Sequence, residues 1–378
     1  MNNKINRCNK SFTICHIASG DLWAGAEVQI FNIVRGLRRV AQLEIIAIVM
    51  NKGKLYSELS KLGIKVYLVD EKRNNLLKQF IMMRKIIMKY KIEVLHSHRY
   101  KENIFGAFLK LSCVGNFELI KTQHGLFNIK PNWRMRIYKT IDQCVTKMLF
   151  KSVIGVSKDI ASQFNFLGTA NKVNIIHNSI CFDKYEVVSE NPKTYYSNRW
   201  RLKIAIVARL VKIKNIDEFI RLISFLKRDV LKVDAVIAGD GPERGRLESL
   251  TEEYSVVKNI TFLGNIDNIS EVYNSIDILF ISSFHEGLPT VLLEAMYFKK
   301  IVVSRAIGGI PEVISHGENG FLYNKLDEAI NIIRNINKDP LSFQFIRENA
   351  RETIESKYNF INQAQNYTSL YQSCLERR

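Results

Sequence analysis

Short runs rich in β-branched residues alternate with longer amphipathic runs along most of this chain, and this alternation limits its possible folds more than any other feature. Strand-like and helix-length runs in repeated succession are typical of a parallel sheet with helices on both faces. The helix-length runs include AEVQIFNIVRGLRRV and NLLKQFIMMRKIIMKY. The strand-like runs of the first half are 12–18, 43–50, 65–70, 92–98, 117–123, 152–157 and 173–178.

The same pattern begins again after a polar stretch at 189–201. We therefore predict two Rossmann-like domains, 1–188 and 189–378, that face each other across a cleft. The final helical segment, 341–375, could pack back on the first domain. Because ligands of open α/β sheets bind beyond the carboxyl ends of the strands, we expect the active site in that cleft. The strand-like runs of the second half are 202–208, 233–239, 259–264, 276–282 and 300–305.

The net charge of +18 at pH 7 is concentrated in the first half. Residues 1–190 carry 30 Lys and Arg against 14 Asp and Glu, whereas residues 191–378 carry 25 against 23. Such an excess indicates an anionic partner, which could be nucleic acid, a membrane surface or a phosphorylated substrate. The sequence has no run of eighteen apolar residues and begins with polar residues, so it predicts neither a membrane span nor a secretory signal and favours the cytoplasm.

Two loops that follow strands of the second half are suited to a diphosphate. The segment ARLVKIKN places Arg209 and Lys214 just past a strand, where two cations can bind phosphate by charge-assisted hydrogen bonds. A solvated basic loop is the alternative for this pair alone. The next strand runs into AGDGPERGRL, where Gly239 and Gly241 permit a tight turn and close approach of a ligand. This segment is not G-x-G-x-x-G, which argues against a dinucleotide site.

The segment HEGLPTVLLEA holds two carboxylates, Glu286 and Glu294, on either side of an expected helix start near Pro289. Exposed amides at a helix start form an anion site that the helix dipole strengthens. The carboxylates cannot hold phosphate, but they can accept hydrogen bonds from hydroxyl groups on either side of it. A nucleotide sugar has this layout, with Glu286 at the sugar and Glu294 at the ribose. An ordinary surface helix with two acids is the alternative. The amides expected to bind the anion are those of Leu288, Thr290 and Val291.

Together these segments resemble the retaining GT-B glycosyltransferases of family 4 over nearly the whole chain. HEGLPTVLLEA contains the family's E-x7-E element, ARLVKIKN its R-x4-K pair and GDGPERGRL its G-x-G-P turn, while GGIPEVI and GENGFLY match the following loop and strand. In the first half, AGAEVQ, TQHG and IIHNSICFDKY resemble the glycine-rich first loop, the catalytic-site histidine and the interdomain segment.

The chain departs from the family pattern at two places. The interdomain segment reads N-S-I-C-F-D where the family commonly has N-G-[IV]-D, which leaves the roles of Asn178 and Ser179 open. HEGLP replaces the frequent EGFG, and Pro289 has no amide, so one potential phosphate donor is lost.

The resemblance implies a set of site residues. It implies that His124 hydrogen-bonds the donor sugar or the leaving diphosphate, although a structural role is the alternative for a lone histidine after a strand. It also implies that the loop LGNID lines the base. The catalytic residues implied are His124, Glu286, Arg209 and Lys214. The donor-binding residues implied are Gly25, Arg209, Lys214, Gly241, Asn265, Ile266, Glu286, Gly287, Leu288, Thr290, Val291 and Glu294.

His96 and His98, spaced by two near a strand end, raise the question of a metal site. No acidic or Cys ligand lies nearby in sequence, and the resemblance implies that Arg and Lys replace a metal. We therefore predict no metal and no cofactor beyond the nucleotide-sugar donor. Contact with the acceptor, or packing, is the favoured role for these two histidines.

Residues 130–151 combine aromatic and apolar side chains with six Lys and Arg. A basic amphipathic segment of this kind is suited to an anionic membrane interface. A Rossmann helix with a solvated basic face is the alternative. The charge of the first half favours the membrane, where a polyprenyl-diphosphate-linked or other lipid-linked acceptor would be presented.

The sequence thus predicts a metal-independent, retaining glycosyltransferase. It would move a hexose or N-acetylhexosamine from a nucleotide sugar, with UDP favoured by association, to a lipid-linked glycan in surface polysaccharide biosynthesis such as lipopolysaccharide or capsule. We expect a cytoplasmic protein that is peripheral on the inner face of the cell membrane. The alternatives are a GT-B nucleotide-sugar 2-epimerase and a basic nucleic-acid-binding protein, although no recognisable RNA- or DNA-binding module is present.

Overall fold

The computed structural model describes residues 12–112, 116–125, 133–164, 169–185, 187, 201–229 and 231–376. The chain divides into two units. The first comprises 1–156, 160–177 and 360–378, and the second comprises 157–159 and 178–359. The predicted boundary at 188/189 lies outside the described residues, as do Lys130 and the side chains of Arg134 and Met135.

The first unit is built on a seven-stranded parallel sheet in the order β3-β2-β1-β4-β5-β6-β7. Its strands are β1 Thr13–Ala18, β2 Glu44–Val49, β3 Lys65–Leu68, β4 Val94–Ser97, β5 Glu118–Gln123, β6 Phe150–Gly155 and β7 Val173–Ile175. Its helices are α1 Gly25–Val40, α2 Lys54–Lys61, α3 Leu76–Tyr90, α4 Tyr100–Leu111, α5 Trp133–Leu149 and, in part, α6 Lys158–Ser162.

Strand β1 shows why this sheet forms. Its alternate residues enter two different hydrophobic clusters, with Ile14 in one and Cys15 and Ile17 in the other. A strand buried on both faces must be apolar along its whole length, which is what β-branched runs supply. The alternation of strands and helices therefore predicted this layered arrangement correctly.

The second unit has a six-stranded parallel sheet in the order β10-β9-β8-β11-β12-β13. Its strands are β8 Leu202–Val207, β9 Val233–Ala238, β10 Ile260–Gly264, β11 Ile278–Ile281, β12 Ile301–Arg305 and β13 Phe321–Tyr323. Its helices are α7 Ile216–Arg228, α8 Arg244–Glu253, α9 Ile269–Ser275, α10 Thr290–Tyr297, α11 Leu326–Lys338 and α12 Gln344–Lys357. Both units are thus α/β domains with parallel sheets, as predicted.

The end of the chain consists of two helices rather than one. The last helix, α13 Phe360–Glu376, belongs to the first unit, while α12 belongs to the second. Helix α13 packs closely against α1. A Cβ added at Gly36 of α1 would lie 2.6 Å from the Phe360 carbonyl oxygen and 2.7 Å from the Ala364 Cβ. No helix among the described residues is both long and apolar enough to cross a bilayer.

Candidate functional site

The strand order reverses between β8 and β11 in the second sheet, and the loops that follow these two strands meet there. The Phe284 amide donates to the Ile213 carbonyl at 2.9 Å, and the Ser282 hydroxyl donates to the Lys214 carbonyl at 3.0 Å. In open α/β sheets a crevice at such a switch point is where ligands bind. The two loops singled out in the sequence are therefore neighbours at the expected position.

Lys214 and Glu286 form an ion pair in this switch-point site. Lys214 Nζ lies 2.6 Å from Glu286 Oε1, and the Ser283 hydroxyl donates to the same oxygen at 2.6 Å. Both side chains of the pair are largely buried, at 24% and 11% exposure. Arg209, at the start of the same loop, is exposed to solvent. The site therefore contains one paired cation and one solvent-exposed cation.

A buried carboxylate, Glu218 in the first turn of α7, supports the Lys214 loop. It accepts hydrogen bonds from Arg305 at 2.6 Å and from the Tyr323 hydroxyl at 2.7 Å. It also accepts a longer one, at 3.4 Å, from Asn215, whose amide donates in addition to the Ser282 carbonyl at 3.2 Å. The sequence analysis missed this network because its members are far apart in the chain.

Glycines allow the loops of the switch-point site to touch backbone to backbone. A Cβ at Gly241 would lie 2.4 Å from the Leu210 carbonyl oxygen, so the G-x-G-P turn packs on the loop that contains Arg209. Gly308 has φ +53, and a Cβ there would lie 1.8 Å from the Glu286 carbonyl oxygen. These glycines set the spacing of the loops. Close approach of Gly241 to a ligand stays a prediction.

Helix α10 begins at Thr290, and Pro289 is its N-cap residue, with φ −72 and ψ 132. The helix thus starts near Pro289, as the sequence predicted, with Pro289 as the cap and not as the first helical residue. Because no side chain caps this end, the first-turn amides are not occupied by a capping group. Leu288 is buried, and Thr290 and Val291 are partly exposed. Gly287 is held from outside the helix, since its carbonyl accepts from the Gly309 amide at 2.7 Å.

Glu294 lies one turn inside α10 and is 7% exposed. Its Oε1 accepts from the Tyr185 hydroxyl at 2.7 Å, and its Oε2 accepts from the Tyr273 hydroxyl at 2.9 Å. Burial, and then the charge of Glu294, raise the pKa of both tyrosines well above the usual value. The sequence analysis did not single out either tyrosine, although Tyr185 lies in the quoted interdomain segment.

The structure gives Asn178 a role that the sequence left open. Its side-chain amide donates to the Leu288 carbonyl at 2.7 Å, directly before the start of α10. The predicted base-lining residues Asn265 and Ile266 follow β10, with Asn265 exposed and Ile266 half-buried. Their role in lining the base stays a prediction.

In the first unit, four histidines cluster toward the carboxyl ends of β1, β4 and β5, with His16, His96 and His98 buried and His124 half-buried. His16 Nδ1 lies 3.1 Å from His98 Nε2, and His98 Nδ1 lies 3.2 Å from His124 Nε2. His96 contacts the Tyr371 hydroxyl at 2.7 Å and the Thr122 hydroxyl at 2.9 Å. Burial lowers the pKa of His16 and of His124 to about 3, and it lowers the pKa of His96 and His98 well below 6.5. All four rings are therefore neutral near pH 7.

Three of these histidines, His16, His96 and His98, each offer a nitrogen within 4.8 Å of the others, so they could hold a metal ion. Both ring nitrogens of His96 and both of His98 already have protein partners, however, as given above. A metal would have to displace at least two of these contacts. The prediction that the enzyme needs no metal stays a prediction.

A charged cluster around Arg99 adjoins the start of α1. Arg99 contacts Glu27 and lies 2.9 Å from Asp21, and the Ser19 hydroxyl donates to Glu102 at 2.5 Å. Burial raises the pKa of Glu27 and of Glu102, and one carboxylate oxygen of each is buried without a partner.

The predicted residue Gly25 is the exposed first residue of α1. That helix end has no side-chain cap. Glu27 lies in the same first turn, and a role of Gly25 in donor binding stays a prediction.

Helix α5 buries the polar residues Asp142 and Thr146 and exposes several apolar residues. Asp142 is fully buried and pairs with buried Lys121 at 2.8 Å. At 3.6 residues per turn exposed Tyr138 lies to one side, but the four other exposed apolar side chains fall within an arc of about 80° on the face opposite Asp142. These side chains and their exposures are Trp133 at 66%, Ile137 at 49%, Ile141 at 39% and Met148 at 75%.

Two family models match successive parts of the chain. The model described as "Glycosyltransferase Family 4" matches residues 23–184, and the one described as "Glycosyl transferases group 1" matches residues 189–353.

The relatives include the N-acetyl-alpha-D-glucosaminyl L-malate synthase of Bacillus anthracis, which is 24% identical over 78% of this chain and 78% of that protein. They also include the phosphatidylinositol N-acetylglucosaminyltransferase gpi3 subunit of Schizosaccharomyces pombe, 25% identical over 78% of this chain and 64% of that protein. Among solved structures, HepE of Anabaena in complex with UDP-glucose superposes with a TM-score of 0.82 at 19% identity, covering 96% of this chain and 99% of that one. The chain is therefore a hexosyltransferase-type enzyme of GT-B fold that belongs to the group 1, family 4 glycosyltransferases.

Proposed function

We propose that this enzyme transfers a hexose or N-acetylhexosamine, with retention and without a metal, from a UDP-sugar to a lipid-linked glycan during assembly of a surface polysaccharide. The proposal about the donor rests on the pairing of Lys214 with Glu286 at the switch point, beside the uncapped start of α10. A cation and a carboxylate held together there match the two kinds of group on a sugar diphosphate. The diphosphate attracts the cation, and the sugar hydroxyls donate to the carboxylate.

Donor binding requires the Lys214–Glu286 pair to exchange partners. Lys214 would move from the carboxylate to a diphosphate oxygen, and Glu286 would accept from sugar hydroxyl groups instead. Arg209 is exposed and can bind the diphosphate without giving up another contact. The first-turn amides of α10 add hydrogen bonds and the positive end of the helix dipole.

The reaction needs stabilisation of the departing diphosphate more than it needs a nucleophile. The bond between the sugar C1 and the diphosphate oxygen breaks, and a bond from the acceptor oxygen forms on the same face. The acceptor proton passes to the departing oxygen. Charge then develops on the diphosphate, where Arg209 and Lys214 are placed to stabilise it. His124, neutral near pH 7, would act through a hydrogen bond and not through charge.

Three similar proteins support the choice of donor. HepE was solved with UDP-glucose, which supports a uridine nucleotide here. The Bacillus anthracis and Schizosaccharomyces pombe relatives are named for transfer of N-acetylglucosamine, which supports an N-acetylhexosamine. The second of these is also named for a phosphatidylinositol acceptor, which supports an acceptor attached to lipid.

The exposed stripe on α5 supports the membrane side of the proposal. An apolar stripe on the outside of a helix whose inner face holds an ion pair is unfavourable in water, and it is favourable in a lipid interface. Basic residues Arg136 and Lys147 flank the stripe and would attract anionic headgroups. We therefore propose a peripheral position on the inner face of the cell membrane.

Release of nucleoside diphosphate by the purified protein tests the donor side. A panel of UDP-, GDP-, ADP- and TDP-sugars is supplied with and without detergent-dispersed polyprenyl-diphosphate glycans. We expect release from a UDP-sugar that rises with the lipid-linked acceptor. Lys214→Ala should lower kcat/KM by about 10²-fold or more, by loss of transition-state charge stabilisation. Lys212→Ala in the same loop is the matched control and should change it little. Equal effects of the two variants, or release of a free epimerised sugar without acceptor, would contradict the proposal.

Flotation with vesicles of phosphatidylglycerol and phosphatidylethanolamine tests the membrane side. Ile137→Glu in the exposed stripe should lower the bound fraction several-fold, since it places a charge in the lipid interface. Phe345→Glu, at an exposed apolar residue of the second unit, is the control and should bind like the unsubstituted protein. The membrane assignment would be contradicted if the Ile137→Glu variant bound the vesicles as well as the unsubstituted protein does. It would also be contradicted if the unsubstituted protein bound vesicles of neutral lipid alone equally well.

A further inference from the structure

The carboxylate of Glu294 is held by two phenols that come from different parts of the second unit. Tyr185 follows a short 3-10 helix at Phe182–Lys184, and Tyr273 lies in α9. Each hydroxyl donates to a different carboxylate oxygen, at 2.7 Å and 2.9 Å. Both rings also pack against Phe298, with centroid distances of 5.6 Å and 5.2 Å. The carboxylate is therefore fixed at both oxygens by side chains that are themselves fixed.

Both phenols keep their protons at physiological pH, because burial and the charge of Glu294 raise the pKa of each. They can therefore act only as donors to the carboxylate. An ionised carboxylate has about four acceptor positions, two on each oxygen. With one position on each oxygen filled by a tyrosine, one position on each oxygen remains. The two open positions are a few ångströms apart, which is the spacing of two neighbouring hydroxyl groups.

The segment 178–185 holds helix α10 at several points. Asn178 donates to the Leu288 carbonyl before the helix, and Phe182 stacks on Tyr297 at its end, with centroids 4.7 Å apart and planes at 5°. Tyr185 contacts Glu294 between them. Removal of the Tyr185 hydroxyl alone should therefore leave the segment in place and remove only its hydrogen bond to Glu294.

We propose that Tyr185 and Tyr273 are positioning residues that orient Glu294 to accept both hydroxyls of a ribose 2′,3′-diol, so that the enzyme selects ribonucleotide over deoxyribonucleotide donors. This inference rests on the proposed function, together with the sequence-based prediction that the donor ribose binds at Glu294. It adds the two residues that make the carboxylate selective. A freely rotating carboxylate must lose rotational freedom to bind both hydroxyls, which offsets part of the second hydrogen bond, whereas a fixed one gains the full hydrogen bond from each hydroxyl.

Isothermal titration with UDP and 2′-deoxy-UDP, and in parallel with GDP and 2′-deoxy-GDP, tests the inference. Tyr185→Phe and Tyr273→Phe each keep the ring and remove one hydroxyl. Each should lower the preference for the ribonucleotide about tenfold, the value of one hydrogen bond to a charged group, and should leave the affinity for the deoxynucleotide within about twofold. Tyr297→Phe is the matched control on the same helix and should keep the preference. Thermal unfolding of every variant checks that the second unit remains folded.

The outcomes separate the inference from the proposed function. If Glu294→Gln abolishes the ribose preference while both tyrosine variants keep it, the positioning role is wrong and the ribose assignment stands. If Glu294→Gln keeps the preference, the ribose does not bind at Glu294, and both the ribose assignment and the positioning role are overturned. Equal weakening of both nucleotides in the tyrosine variants would show a merely structural role and would also overturn the inference. Failure of both UDP and GDP to bind the unsubstituted protein would overturn the proposed function together with the inference.

Discussion

The four clustered histidines make the first unit sensitive to mild acid. His16, His96, His98 and His124 are all neutral in the folded protein, because burial lowers the pKa of each ring. In the unfolded chain each histidine titrates near pH 6.5. Between about pH 6.5 and the low folded pKa the unfolded state binds more protons, so the free energy of unfolding falls as the pH falls. The stabilising effect is present above pH 6.5 and is lost below it.

The size of this effect follows from proton linkage. At pH 5.5 each histidine that is neutral when folded favours the unfolded state by about 1.4 kcal/mol, against about 0.2 kcal/mol at pH 7. The four rings together therefore cost about 5 kcal/mol between pH 7 and pH 5.5. A typical domain has a free energy of unfolding of about 5–15 kcal/mol, so the loss is a large part of the total.

Hydrogen exchange followed by mass spectrometry measures this effect in each unit separately. Peptides from β1, β4 and β5 report on the first unit, and peptides from β8 and β11 are the internal control. We expect the opening free energy of the first set to fall by several kcal/mol more than that of the second set between pH 7 and pH 5.5, after correction for intrinsic exchange rates. His16→Gln should reduce this pH dependence by about a quarter, since it removes one of four groups. The same pH response in both units, or in the variant and the unsubstituted protein, would refute the reasoning.

Three further predictions concern single buried contacts, each measured by urea unfolding. Gly308→Ala should lower the free energy of unfolding of the second unit by at least about 2 kcal/mol, because the positive φ of Gly308 and the nearby Glu286 carbonyl oxygen leave no room for a Cβ. Gly245→Ala is the control and should not lower it, because an added Cβ there meets no atom within 4 Å. Lys121→Met should destabilise the first unit by about 3–5 kcal/mol by leaving Asp142 charged and buried, and Lys121→Met/Asp142→Leu should recover part of that loss. Glu218→Leu should cost the second unit at least about 2 kcal/mol, because several donors lose their acceptor. If one of these single variants is as stable as the unsubstituted protein, the structural reason given for that variant is wrong.

Local patterns in the sequence were sufficient to predict the α/β class and the position of most strands. β-Branched runs report burial on both faces of a parallel strand, and this requirement applies to a few consecutive residues at a time. Glycine positions such as Gly241 could be found for a similar reason, since a tight backbone approach excludes a Cβ. Charged loops that follow strands, and then the family resemblance, indicated where donor-binding residues are expected.

The partners of those residues could not be predicted from local patterns. Lys214 meets Glu286 because β8 and β11 are neighbours in the sheet, and strand order is set by how the helices pack over the two faces. The same holds for Tyr185 and Tyr273, which reach Glu294 from a loop and from another helix. Contacts between residues tens of positions apart leave no periodic signal along the chain.

The sequence by itself therefore determined the elements, the glycine turns and the charged loops of this enzyme, because each depends on residues that are neighbours in the chain. Only the tertiary structure decided that α13 belongs to the first unit, that α5 buries Asp142 and exposes its apolar stripe, and that four neutral histidines form one cluster. The physical reason is that the burial of a side chain depends on which distant segments pack around it. Burial and these packed segments in turn set the pKa of a histidine and the hydrogen bonds that a carboxylate accepts.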